Sequence, residues 1–254
     1  MVRRLPVLAL VAACLVAGPI AAAQARRAPS PFPAAVAAAM KVAAASARGV
    51  ALVAPTDLEV GIAPSRTWHL GALVTAKAGS YDVAYEWTYV ALPVNSPRLY
   101  QGKYANLTAL GIVGGFGGRT YPTVAKAEAA LAAVAPVPSL PAGSASKHVA
   151  KTLAPGVRAQ VWVHAGTVLW HQGEATVLLT SPGLTPDLAT SRQVARWLTS
   201  LPLPRAPLAL DVDEGGDGQH TTVAWRVGRT VYTAWNYHAA VLALRMAARM
   251  RPWR

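Results

Sequence analysis

This 254-residue chain has a single cysteine, Cys14, which lies inside an apolar run near the start. Everything beyond that run therefore lacks the means for a disulfide framework, a thiol nucleophile or a zinc-thiolate centre. Acids are also scarce, with 11 Asp and Glu against 24 Lys and Arg, a formal charge of +13. Signature motifs are missing too. There is no G-x-S-x-G elbow, no G-x-G-x-x-G and no P-loop, and His69, His148, His164, His171, His220 and His238 form no H-E-x-x-H or H-x-H pair. Ser144 to Lys147 fits the S-x-x-K pattern of penicillin-recognising acyl enzymes. Their Ser-x-Asn and Lys-Thr-Gly elements are absent, since Lys151-Thr152 is followed by Leu153. Asp211-Val212-Asp213-Glu214-Gly215-Gly216-Asp217-Gly218 begins like a calcium loop. Thr222 stands where the closing Glu belongs, so the segment reads as a solvated hairpin tip. No metal site and no cofactor is predicted, and a non-catalytic protein is the first expectation.

What is present starts at the N-terminus. Arg3 and Arg4 precede an apolar stretch from Leu5 to Ala23, and Ala23-Gln24-Ala25 supplies a small-x-small cleavage pattern. This predicts a signal peptide over 1–25 and a mature chain starting at Arg26, without a transmembrane helix. A retained anchor is the first alternative, weakened by Pro6, Gly18 and Pro19 within the run. The second is lipidation at Cys14, where Val11-Ala12-Ala13-Cys14 looks like a lipoprotein box but the apolar stretch runs on past it. Export places the chain in the periplasm, at the cell surface or outside the cell. The excess of basic residues fits either solubility alone or an anionic envelope component, lipid headgroup or acidic glycan, as partner, and the partner itself is not specified by the sequence. No long Lys/Arg run marks a nucleic-acid groove, so no specific nucleic acid is expected.

The second half contains a repeat. Thr167-Val168-Leu169-Trp170-His171-Gln172-Gly173 matches Thr222-Val223-Ala224-Trp225-Arg226-Val227-Gly228 as Thr-Val-x-Trp-x-x-Gly, and Arg192 to Arg196 matches Arg245 to Arg249 further on. Two-residue turns at Gly173-Glu174 and Gly228-Arg229 set Trp170 opposite Val177, Val168 opposite Leu179, Trp225 opposite Tyr232 and Val223 opposite Ala234. A strand is expected before each hairpin, at 158–164 and 208–214. A two-residue turn at Ala165-Gly166 would set His164 opposite Thr167 and His171 opposite Gln160. A helix follows each hairpin, the first capped by Thr185 with Pro186 at its first position and the second capped by Asn236. The expectation is an α+β fold: an antiparallel sheet with helices on one face, built partly from two βββα copies at about 157–203 and 206–251.

The first half is read as a flexible lead over 26–33 and an α+β region over 34–140, ahead of a C-terminal region over 141–254. A helix is expected from Pro33 to Arg48, a strand over 50–53, a hairpin over 70–92 and a helix after Pro122. Between them Gly111-Ile112-Val113-Gly114-Gly115-Phe116-Gly117-Gly118-Arg119 reads as a glycine-rich loop. Gly114, Gly115, Gly117, Gly118 and Arg119 are the candidate ligand-binding residues, able in principle to cradle an anion. Arg192, Arg196, Arg245 and Arg249 are the candidate polyanion contacts. The functional expectation is an exported ligand-binding or scaffolding protein. Alternatives are a secreted hydrolase of unrecognised family, and a binder of polyanions or anionic membranes. N-terminal sequencing of the exported protein should read Arg26 first, and Ala25→Asp should block that cleavage.

Overall fold

Strands form where apolar and polar residues alternate around turn-forming glycines. The computed structural model describes residues 30–61, 67–99, 112–138, 148–215 and 219–254. In chain order the elements are α1 (Ala34–Ser46), β1 (Val53–Pro55), β2 (His69–Lys77), β3 (Ser80–Thr88), β4 (Ile112–Thr120), α2 (Val124–Ala132), β5 (Val149–Ala154), β6 (Val157–Trp162), β7 (Thr167–Gln172), β8 (Ala175–Thr180), α3 (Leu188–Ser200), β9 (Leu208–Asp213), β10 (His220–Val227), β11 (Thr230–Asn236), α4 (Ala240–Ala248) and β12 (Met250–Pro252). Ten strands make one sheet in the order β2-β3-β4-β11-β10-β9-β8-β7-β6-β5, and β1 pairs with β12 separately. The fold is α+β, with a sheet that is antiparallel apart from one pair. That sheet is shared by the regions 34–140 and 141–254, which join where β4 pairs with β11.

Both central hairpins have the expected register. Gly173 and Gly228 each open a two-residue turn at φ 58°, a backbone that glycine adopts without strain. Trp170 faces Val177, Val168 faces Leu179, Trp225 faces Tyr232 and Val223 faces Ala234. The turn before β7 is longer than expected. It spans 163–166, so Trp162 faces Thr167, Gln160 faces Leu169, and His164 sits in the turn. This is a slip of two residues, which leaves every side chain on its intended face.

Several further expectations need correction. The two strand-strand-strand-helix segments, β6–β8 with α3 and β9–β11 with α4, meet through a parallel pairing of β8 with β9, because α3 carries the chain back before β9 begins. Helices also cover both faces. α1, α3 and α4 bury Val36, Met40, Val194, Ala195, Leu244 and Met246 against one face, together with Trp170, Leu179, Leu210 and Val223. α2 lies on the other, with Ala127 and Leu131 against a second apolar stripe of Trp162, Leu169, Leu178, Ala209, Ala224 and Val231. Those strands are apolar on both sides and so need two covers. Asp187, rather than Thr185, caps α3 by accepting from the backbone N–H groups of Ala189 and Thr190 at 2.8 and 2.9 Å. Burial pulls its carboxyl upward, but the bonds from Thr190 and Ala189 outweigh it and hold the group below its usual range. At α4, Asn236 stands ahead of the cap residue Ala239, and its Oδ1 accepts from the N–H groups of His238 and Ala239 at 2.7 and 3.2 Å.

The largest correction concerns the glycine run. Residues 112–120 are not a loop but strand β4, hydrogen-bonded to β3 on one edge and β11 on the other. Glycine is required there because large rings cross it. A Cβ on Gly118 would lie 2.8 Å from the Tyr81 ring and 2.9 Å from the Tyr232 ring. One on Gly115 would lie 2.6 Å from the Trp235 ring on the opposite face. Through the Gly118 gap the two tyrosines reach the start of β1 and the residues just before it, where Tyr81 Oη donates to Val53 O at 2.8 Å and Tyr232 Oη donates to Ala51 O at 3.0 Å. Burial pushes the Tyr81 hydroxyl far above its ordinary range, so it stays a donor. Gly118→Val should lower stability by roughly 2 kcal/mol or more, the usual penalty for overpacking. Gly156→Ala is the control: its turn has φ 74° and open space around it, so only backbone strain of about 1 kcal/mol is expected. Urea denaturation of both variants measures the difference.

Candidate functional site: an acidic and aromatic recess on the sheet

Successive side chains of a strand point to opposite faces. On β9, Ala209 packs under α2, so Asp211 and Asp213 share that face. On β10 the same face carries Thr222 and His220, and on β11 it carries Trp235, four residues beyond the α2-packed Val231. Register fixes the neighbours: Thr222 stands between Asp211 and Trp235, and His220 is opposite Asp213. Next to Trp235 comes Gly115, and Asp82 on β3 is opposite Gly117. The rings of His220, Trp235 and Tyr237 form a cluster, with centroids 4.7 Å apart for His220 and Tyr237, 5.5 Å for Trp235 and Tyr237, and 6.5 Å for His220 and Trp235. Asp211, His220, Thr222 and Trp235 are half-buried, while Asp213 and Tyr237 are exposed.

The electrostatics of this recess are unusual for so basic a chain. The ion pairs among the described residues are Arg226 with Glu128 and Arg249 with Asp57. Asp82, Asp211 and Asp213 have no cation against them and no side-chain hydrogen bond among the described residues. Burial, reinforced by the neighbouring Asp213 carboxylate, pushes the Asp211 carboxyl up to about 6. Desolvation by the neighbouring sheet also raises Asp82, although the residue as a whole is exposed. His220 is pulled down by burial, with Asp213 opposing. The next acid, Glu214, is differently placed: it accepts from Ser181 Oγ at 3.1 Å and Gln219 Nε2 at 3.2 Å. Among the described residues no group of three His, Cys, Asp or Glu is arranged to hold a metal ion.

No family model, curated protein or solved structure matches this chain. Its chemistry is therefore read from the site alone.

The residues singled out from sequence are distributed as follows. Gly114, Gly115, Gly117 and Gly118 are buried in β4 with both strand edges paired, so their amides do not form an anion cradle. Gly115 and Gly117 instead underlie the recess, beneath Trp235 and beside Asp82. Arg119 is exposed at the end of β4, its guanidinium 5.1 Å from the Tyr121 ring centroid. Arg192 and Arg196 are exposed on α3, and Arg245 on α4; Arg249, also exposed, pairs with Asp57 at 3.2 Å. These helices lie on the face away from the recess. Gly111, the S-x-x-K segment at 144–147, residues 216–218 and the predicted signal peptide with Cys14 fall outside the described residues. Sequence reading assigned Asp211 and Asp213 to a solvated tip and passed over Trp235. The available signal was two acids at strand spacing, set against a strand that carries His220 and Thr222.

The raised Asp211 carboxyl gives a signed expectation. Folded Asp211 keeps its proton up to about pH 6, whereas unfolded Asp211 ionises from its ordinary 3.8. The folded state thus holds the extra proton between those values, and its stability falls as pH rises through that window. Asp211→Asn removes the fall. Melting temperatures should show the variant more stable than the natural chain at pH 7.5, with the advantage shrinking toward pH 4.

Proposed function

We propose that this chain is an exported, non-catalytic binding module whose sheet recess holds a small organic cation bearing an ammonium or guanidinium group. One observation carries the reading: Asp211 and Asp213 lack a basic partner among the described residues, in a chain with 24 Lys and Arg, and they lie beside a three-ring cluster. Aromatic faces and carboxylates attract an alkylated cation together, the rings through their quadrupoles and the acids through their charge. The apolar run and small-residue exit at 1–25 support export. The module itself reads as a duplication of one βββα unit. Matching turns at Gly173 and Gly228, and buried Trp170 and Trp225 on the same sheet face, support that origin. Exposed Arg192, Arg196 and Arg245 support a subsidiary contact between the helix face and an anionic envelope surface.

A hydrolase is the second reading, favoured by one feature of the same recess. Asp211 holds a proton up to about pH 6, and a protonated carboxyl with a second carboxyl on the same face can serve in glycoside cleavage. One set of measurements separates the two. Calorimetric titration at constant ionic strength should show spermidine and tetramethylammonium binding at pH 7.5, weakened roughly tenfold by Asp211→Asn or Trp235→Ala. Binding should fade as pH drops below about 6, where Asp211 takes up its proton. Unchanged titrations in both variants would refute the cation reading. Turnover of chromogenic glycosides that is lost in Asp211→Asn would replace it with the enzyme.

A further inference from the structure

The sheet face that carries the recess also borders a separate cleft, beside α2 at the turn end of β7 to β10, with a volume of about 440 Å³. It exists because small side chains face each other across it: Ala132 and Ala135 on the helix side, Ala209 on the sheet. Its lining is mainly apolar, with two polar pairs and the exposed Glu174 at the turn between β7 and β8. At one end Arg226 bonds Glu128 at 3.1 Å and Gly228 O at 3.1 Å. At the other, His171 Nδ1 lies 3.1 Å from Thr176 Oγ1. A preformed, largely apolar cleft of this size with a few convergent polar groups has the general form of a small-molecule site.

The ion pair indicates which ligand head fits. Arg226 is the anchored half, with its side chain 17% exposed, whereas that of Glu128 is 56% exposed. An exposed acid on a one-turn reach contributes little and can swing away. Arg226 would then offer its planar donor fork to another carboxylate from inside the cleft. The positive charge of the whole chain attracts anions toward that position. β7 and β10 are three inter-strand steps apart, about 14 Å, a span that suits a chain of about ten carbons.

We propose that this cleft binds an amphipathic monocarboxylate of the fatty-acid type, with its carboxylate on Arg226 in place of Glu128 and its alkyl chain along Leu131, Ala135 and Ala209 toward His171. The site is independent of the recess and takes a ligand of opposite charge. It is tested with the full chain by calorimetric titration of decanoate and of decanol below their aggregation limits. Decanoate should bind saturably and at least tenfold more tightly than decanol. Glu128→Gln, which removes an exposed competitor, should tighten decanoate several-fold and leave decanol unchanged. Arg226→Met should abolish the preference for the acid, and Ala132→Phe, at an exposed position on the cleft wall, should weaken both ligands at least tenfold. Absence of saturable decanoate binding would overturn the proposal. So would an unchanged decanoate affinity in both Glu128→Gln and Ala132→Phe, which keeps the test decisive even if Arg226→Met does not fold.

Discussion

The packing of aromatic rings across a glycine strand holds this molecule together. Among the described residues β4 alone links β2 and β3 to the rest of the sheet, and its neighbours β3 and β11 both present large rings to it. On the face covered by α1, α3 and α4, Tyr81 and Tyr232 converge over Gly118. On the other, Trp235 lies over Gly115. A side chain at Gly118 would displace the two tyrosines and the hydroxyl groups that hold Ala51 and Val53 in place, and one at Gly115 would displace Trp235. The absence of Cβ atoms at two positions therefore sets the contact between the halves and the position of β1.

The two faces of the sheet have different fates. Three helices seal one of them, and it holds the larger core, including Trp170, Phe116 and Leu210. Among the described residues a single nine-residue helix covers part of the other. Function on this reading arises from incomplete cover. Where α2 ends, carboxylates and rings are left half-open; where its alanines face Ala209, space is left unfilled. Neither feature improves stability, since like charges close together and unfilled volume both work against folding. Such local conflicts are the places where binding chemistry is expected.

Legibility from sequence followed the range of the interaction. The hairpins at Gly173 and Gly228 were readable to the residue because a tight turn couples glycine, spacing and facing side chains within a dozen positions. The run at 112–120 was not, because glycine has poor strand propensity. Only Tyr81, Tyr232 and Trp235, distant in sequence, make strand the favoured state there. The parallel junction of β8 and β9 likewise depends on where α3 packs, and the helix pattern says nothing about that. The second apolar stripe was hidden because Leu169, Leu178 and Ala224 follow strongly apolar neighbours, which blur the alternation. The recess was missed for the same reason as β4: Asp211 and Trp235 become neighbours only through two strand pairings.

The pairing of β1 with β12, and of β4 with β11, has a consequence for how the polypeptide comes off the ribosome. Val53 waits for Pro252, and the edge of β4 that faces Tyr232 waits for β11, so β1 and that edge stay unpaired until almost all of the described chain has been synthesised, while β2, β3 and β4 can pair with one another early. Contacts this distant in sequence form slowly, because a long loop must close before they stabilise anything. Closure of the fold is therefore a late event, set by the last strands to emerge.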